Sequence, residues 1–212
     1  MIPRMTAPVP HDDLLARVAD RARRRCPDMP PPVSERALAD AERALGFPLH
    51  PLLARLYREV GDGGFGPEYR FFRLDGSEPV SETHGPVTLA YRRRREPHAK
   101  DPGWFWPEGV VPVMTWGCGM LACVDCRSPE GTVLLFEPNP VDGDWADAWF
   151  LDAHGLAQWL ETSLSGRGWY AYPGADDSWA DPEQALSEEE LDSVDLPRWG
   201  AEARARAGRG QD

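Results

Sequence analysis

Cys118, Cys123 and Cys126 follow one another with the spacing C-x4-C-x2-C, the densest run of metal-binding residue types in the chain. Thiolates bind Zn²⁺, but a closed tetrahedral site takes four ligands. The nearest histidines, His98 and His154, each lie at least 20 residues from the nearest of these cysteines. Cys123 and Cys126 also fall in an apolar stretch that reads as a strand, where a spacing of three puts side chains on opposite faces. The cysteines are therefore read as small buried hydrophobes, and no metal is expected. The stretch Gly61–Pro67, GDGGFGP, is rich in glycine, but it follows a helix pattern and lacks the Gly-Lys-Ser/Thr of a phosphate loop. The run Arg92–Arg95 reads as a solvated helix face, although it could touch phosphates or pair with the acidic C-terminal tail. Asp142 and Asp144 sit in VDGDW, where Asp favours the turn itself. No G-x-S-x-G, H-E-x-x-H or Cys-His pattern is present. The sequence gives no catalytic residue and no cofactor, and it predicts a protein that is not an enzyme.

Tryptophan is the compositional anomaly. There are nine, too many for all to lie in one core. Trp116 and Trp159 fit core positions. Trp104 and Trp106, in DPGWFWPEG, lie in a loop rich in Pro and Gly and flanked by acidic residues. Exposed tryptophan of that kind is typical of a protein-binding hot spot, and the alternative is a loop packed over a sheet edge. Loops carried on a rigid scaffold are where binding residues collect. Asp62, Phe65, Trp104, Trp106, Asp142 and Asp144 are accordingly expected to converge at one end of a sheet as a partner-binding face.

The elements that must position these residues read as follows. Asp12–Arg25 has apolar residues at helical spacing, acids first and arginines last, as the helix dipole prefers. Ser34 is a suitable N-cap for a helix Glu35–Leu45 that ends at Gly46. Pro51 starts a third helix, which runs to Val60 and stops at Gly61. Tyr69–Leu74 predicts a short strand and Thr88–Arg95 a short helix. Val110–Thr115, Met120–Asp125 and Thr132–Glu137 predict three strands of an antiparallel meander, with Asp144–Leu151 as an added edge strand. A closing helix is expected over Asp152–Leu164. From Tyr172 to Asp212 there are 11 acidic and 4 basic residues, which predicts an acidic, largely disordered tail with a short helix near Ser187–Leu191.

This order gives an α+β fold: N-terminal helices packed on a mainly antiparallel sheet, a closing C-terminal helix and an acidic tail. Residues 1–33 read as an N-terminal helix and Pro-rich linker, 34–171 as the main domain and 172–212 as the tail. The 212 residues carry a formal charge of −12, which disfavours direct binding of nucleic acid. Of the 23 basic residues only Lys100 is lysine, a bias that deprives single arginines of functional meaning. The longest uncharged stretch, Gly109–Val124, is 16 residues and is interrupted by Gly and Pro, short of the roughly 20 that span a bilayer. With no apolar run of signal-peptide length at the N-terminus, the chain reads as soluble and cytoplasmic.

Three stretches together resemble one family. The first is Ala41-Glu42, Leu45-Gly46, Phe47-Pro48-Leu49, an amphipathic helix from Leu52 to Val60 and the glycine-rich Gly61–Phe65. The second holds Trp116-Gly117-Cys118-Gly119, Val124-Asp125-Cys126, Gly131 and Phe136-Glu137-Pro138-Asn139. The third is Leu156–Leu160 followed by Gly166. In this order they resemble the SUKH superfamily, which includes fungal Smi/Knr-type cell-wall regulators and bacterial immunity proteins. The resemblance covers about Ser34–Gly166. His50-Pro51 departs from the more usual Pro and acidic residue but preserves helix initiation. The resemblance implies a non-enzymatic protein that binds a cognate protein toxin and blocks it, with a basic nuclease domain among the candidate partners. A regulatory or scaffolding role is the alternative it implies.

Overall fold

The computed structural model describes residues 11–67, 69–74, 86–99, 101–170, 187, 189–190 and 194–207. Helix α1, Asp12–Arg25, buries Leu14, Leu15, Val18 and Ala22 along one face. Helix α2, Glu35–Leu45, is capped as expected: the Ser34 hydroxyl accepts from Ala37 N at 3.1 Å, and Gly46 closes the helix at φ 85°. Helix α3, Pro51–Arg55, continues into a wider π turn over Leu56–Val60, closed by Gly61 N donating to Leu56 O at 3.3 Å. The turn holds Tyr57 inward, where its hydroxyl donates to Phe72 O at 2.9 Å. Helix α4, Val87–Arg95, precedes the sheet and packs against β1, Val110–Gly117.

The sheet is an antiparallel meander in the order β1-β2-β3-β4. Its other strands are β2, Met120–Asp125; β3, Val133–Phe136; and β4, Trp149–Ala153. Pro112 lies in β1, which as an edge strand accommodates a residue without an N–H. Gly117, Cys118 and Gly119 all have positive φ and make the tight β1–β2 turn. Cys118 at φ 48° is the only one of the three that carries a side chain there. Strands β1 to β3 bury nearly every residue, because α1, α3 and α5, Leu156–Ser165, join them in one core cluster. No helix among the described residues is long and apolar enough to cross a membrane.

Three expected elements need correction. Tyr69–Leu74 is not a strand; only Phe72 N reaches β1, bonding Val113 O at 2.7 Å. The edge strand begins at Trp149, after a 3₁₀ turn Trp145–Ala148 that the Asp144 carboxylate caps at Ala146 N, 3.0 Å. Asp152 belongs to β4, and helix α5 starts at Leu156.

The largest difference lies at the C-terminal end. Residues 194–207 are not a loose tail. Leu151 N bonds Pro197 O at 2.7 Å and Trp199 N bonds Trp149 O at 2.9 Å, so this stretch lines the free edge of β4. Trp199 is buried against Trp149, and the short helix α6, Gly200–Ala205, packs on the 3₁₀ turn. The acidic composition concealed one large apolar anchor, and an unpaired sheet edge gave it a place to dock. Residues 171–186, positions 188 and 191 of the expected Ser187–Leu191 helix, residues 192–193 and the chain's last five residues lie outside the described residues; within that expected helix Ser187 N donates to a Glu190 carboxylate oxygen at 2.9 Å.

Candidate partner-binding surface

The six expected surface residues divide into three groups. Asp62 and Phe65 are internal. Asp62 accepts from Leu74 N at 2.7 Å and from Arg73 Nε at 2.9 Å, so it fastens the 71–74 segment to the end of α3. Phe65 is fully buried and stacks on Phe71 with ring centroids 5.0 Å apart. The glycines around them serve close packing. A side chain at Gly61 would meet Met29 Sδ at 2.6 Å, and one at Gly64 would meet Pro30 at 2.9 Å. The proline linker therefore lies directly on this loop.

Trp106 is the second correction. It is 1 % exposed, its indole donates to Val110 O at 2.7 Å, and its ring meets Trp149 at 4.8 Å and Phe136 at 5.1 Å. The DPGWFWPEG loop is thus packed onto the sheet, and Trp106 is core rather than a free anchor. A buried backbone acceptor at Val110 made the burial of an indole N–H possible.

Trp104 and the turn that carries Asp142 and Asp144 are neighbours, joined through Trp145 and through Gly103, which lies close to Gly143 O. Trp104 is half-buried, donates to Arg94 O at 2.9 Å and meets Trp145 edge-on at 4.8 Å. Trp145, which sequence reasoning passed over, donates to Asp101 Oδ2 at 2.6 Å and so ties the 101–104 loop to the 142–145 loop. Asp144 caps the 3₁₀ turn and pairs with Arg204 of α6; Asp147 pairs with Arg198. Asp142 stands exposed in the turn and has no ion pair among the described residues. The result is a rim of four carboxylates, Asp101, Asp142, Asp144 and Asp147, around two half-buried indoles. Asp144 and Asp147 are neutralised by their arginines, so Asp101 and Asp142 are the members that leave negative charge for a basic surface, while the indoles present apolar area.

The groups with perturbed protonation are internal. Cys123 lies fully buried in β2, and burial raises its thiol far above the ordinary range; burial also pushes Cys126 up to about 12. Both are held as neutral thiols, while Cys118 is exposed on its turn. Asp152 is lifted to about 6 by burial, although the indoles of Trp159 and Trp169 donate to its two oxygens at 2.9 and 3.0 Å. Desolvation outweighs two hydrogen bonds from neutral donors. His11, His50 and His154 line a separate cavity of about 300 Å³, with His50 Nε2 at 3.1 Å from Pro129 O. Among the described residues no three His, Cys, Asp or Glu side chains come together to hold a metal ion.

Comparison with known proteins gave one family match. The model described as the SMI1 / KNR4 family (SUKH-1) matches residues 32–162. That span runs from the linker before α2 into α5 and holds the entire sheet. No curated protein gave a significant match.

Proposed function

The chain belongs to the SMI1/KNR4 family (SUKH-1), and from that premise we propose that it is a non-enzymatic protein-binding module that captures and neutralises a cognate toxin domain. The family match over residues 32–162 carries this reading. The carboxylates of Asp101 and Asp142 beside Trp104 and Trp145 support it, because neither acid has an arginine partner among the described residues and such a pair suits a basic protein surface. The net charge of −12 adds long-range attraction for such a partner. A toxin that acts on nucleic acid must itself present a basic cleft, which makes a basic nuclease domain the best-fitting partner class. The reading carries a cytoplasmic location, where such a toxin would act. Residues 34–171 are the binding domain in this proposal, and 194–207 complete its β4 edge.

The test is co-expression with the toxin encoded beside this gene. Growth restored by the parent protein, and lost when Asp142 and Asp147 are both changed to Arg, supports neutralisation through this rim. Growth that stays arrested with a folded parent protein overturns it. A regulatory or scaffolding role, the other one family membership suggests, predicts no neighbouring toxin and no rescue.

A further inference from the structure

Twelve arginines of the described residues lie within ion-pair distance of a carboxylate. Among the described residues the four at the end of α4, like Arg25, Arg70 and Arg167, have no such partner, and they are the only unpaired group that is contiguous. Arg92 and Arg93 are exposed, Arg94 and Arg95 half-buried, and among the described residues none of the four pairs with an acid.

Arg94 is the most anomalous of them. Its guanidinium lies 5.3 Å from the centre of the Trp106 ring, and Nη1 donates to Ala90 O at 3.3 Å. A guanidinium has five N–H donors, and this is the single hydrogen bond it makes among the described residues. Burial lowers its pKa, the sign of a cation short of compensation. Beside it, Arg95 Nη1 donates to Trp106 O at 2.6 Å. Both arginines line a pocket of about 80 Å³, whose walls include Trp104, Trp106, Glu96 and Ala207.

We infer that this pocket, between the end of α4 and the Trp104–Trp106 segment, receives the carboxylate of a Glu or Asp side chain presented by a protein partner. The planar fork of Arg94 matches a carboxylate, and the Trp104 and Trp106 indoles flank it. The volume suits one small group. Glu96 and the carbonyl end of α4 add negative potential, which favours a monoanion over a doubly charged phosphate. Arg92 and Arg93 on the outer face would draw an acidic segment toward the mouth. Trp104 touches both this pocket and Trp145 of the acidic rim, so the two sites together select a partner surface of mixed charge. The inference rests on the protein-binding reading, but its test needs no cognate partner, so either can fail without the other.

The test is an NMR titration of the full chain with the amide of N-acetylglutamate, followed at the indole N–H signals of Trp104 and Trp106. Sodium chloride at equal ionic strength and inorganic phosphate are the comparison ligands. The expected result is a saturable shift of both signals with N-acetylglutamate amide alone. Arg94→Gln should weaken it about tenfold or more, the loss of one charged hydrogen-bonded pair, while Arg93→Gln leaves it nearly unchanged. A non-saturating shift, an equal response to chloride, tighter binding of phosphate, or an Arg94→Gln protein that titrates like the parent overturns the inference. Should Arg94→Gln fail to fold, Ala207→Glu decides. It sets a carboxylate at the pocket mouth and should shift both indole signals and abolish the titration; an unchanged titration overturns the inference.

Discussion

Trp199 is the perturbation that most sharply separates a docked C-terminal segment from a loose one. Its side chain is 8 % exposed, faces Trp149 with ring centroids 6.2 Å apart and carries the Arg206 guanidinium 5.3 Å from its ring centre. Replacing a buried Trp with Ala costs about 3–5 kcal/mol, and this peripheral site with some collapse around it belongs near 3. Ending the chain after residue 193 removes more. Two edge hydrogen bonds, to Pro197 O and Trp149 O, add about 0.5–1.5 kcal/mol each. The Asp125 carboxylate, 2 % exposed, also loses its Arg206 partner and keeps only Arg127 N at 3.0 Å. The truncated chain should therefore lose about 5 kcal/mol or more, comparable with the whole stability of many domains. The assay is urea unfolding of the parent, Trp199→Ala and the truncated chain, followed by far-UV circular dichroism. Trp199→Ala should lower Tm by about 6–12 °C for a chain of this length. A loss under about 1 kcal/mol in the truncated chain, with an unchanged urea slope, would refute the docking and restore the expectation of a dispensable tail.

Four further outcomes follow from the packing and the protonation states. Trp106→Ala should cost about 3–5 kcal/mol in urea unfolding, because the residue is core and holds Val110 O; a stable variant with impaired binding would instead make it an anchor. Asp152 binds its proton more tightly in the folded chain, at about 6 against an ordinary 3.8. Its contribution to stability is therefore greatest below about pH 4 and fades as pH rises through about 6, by up to about 3 kcal/mol. Asp152→Asn should remove that component from the pH dependence of the urea midpoint between pH 4 and 7, and an identical profile in both proteins counts against it. Gly131 has φ 64°, and an added Cβ would lie 2.8 Å from the His50 ring, so Gly131→Ala should cost about 2 kcal/mol or more by thermal unfolding. Of the four cysteines only Cys118 is exposed, so a thiol reagent should label one equivalent quickly in the native protein and the others only on unfolding.

Much of the scaffold was legible because its signals are local. Ser34, Gly46 and Pro51 mark helix ends by backbone chemistry alone, and α1, α2 and β2 begin and end where the pattern puts them. The surface was harder to read because exposure is decided by partners distant in sequence. Asp62 looks like a loop acid until Arg73 and Leu74 N fold over it, and Trp106 looks exposed until Val110 O and Trp149 enclose it. Asp152 gave no signal of its own, since its indole donors lie 7 and 17 residues away. Arg94 is one of a run of four arginines, and only the fold separates the one over Trp106 from the solvated Arg92 and Arg93. Trp199 and its proline were visible, but the acidic composition around them outweighed a single anchor.

The central claim is that this acidic member of the SMI1/KNR4 family binds a protein and thereby blocks it. Calorimetric titration of the purified protein into any toxin domain found encoded beside its gene, at low and at high salt, tests this, with the toxin's activity measured on the same mixtures. The account predicts a saturable complex that weakens as salt rises, with activity falling in step with occupancy. No complex at micromolar concentrations, or a complex in which the toxin stays fully active, would contradict it.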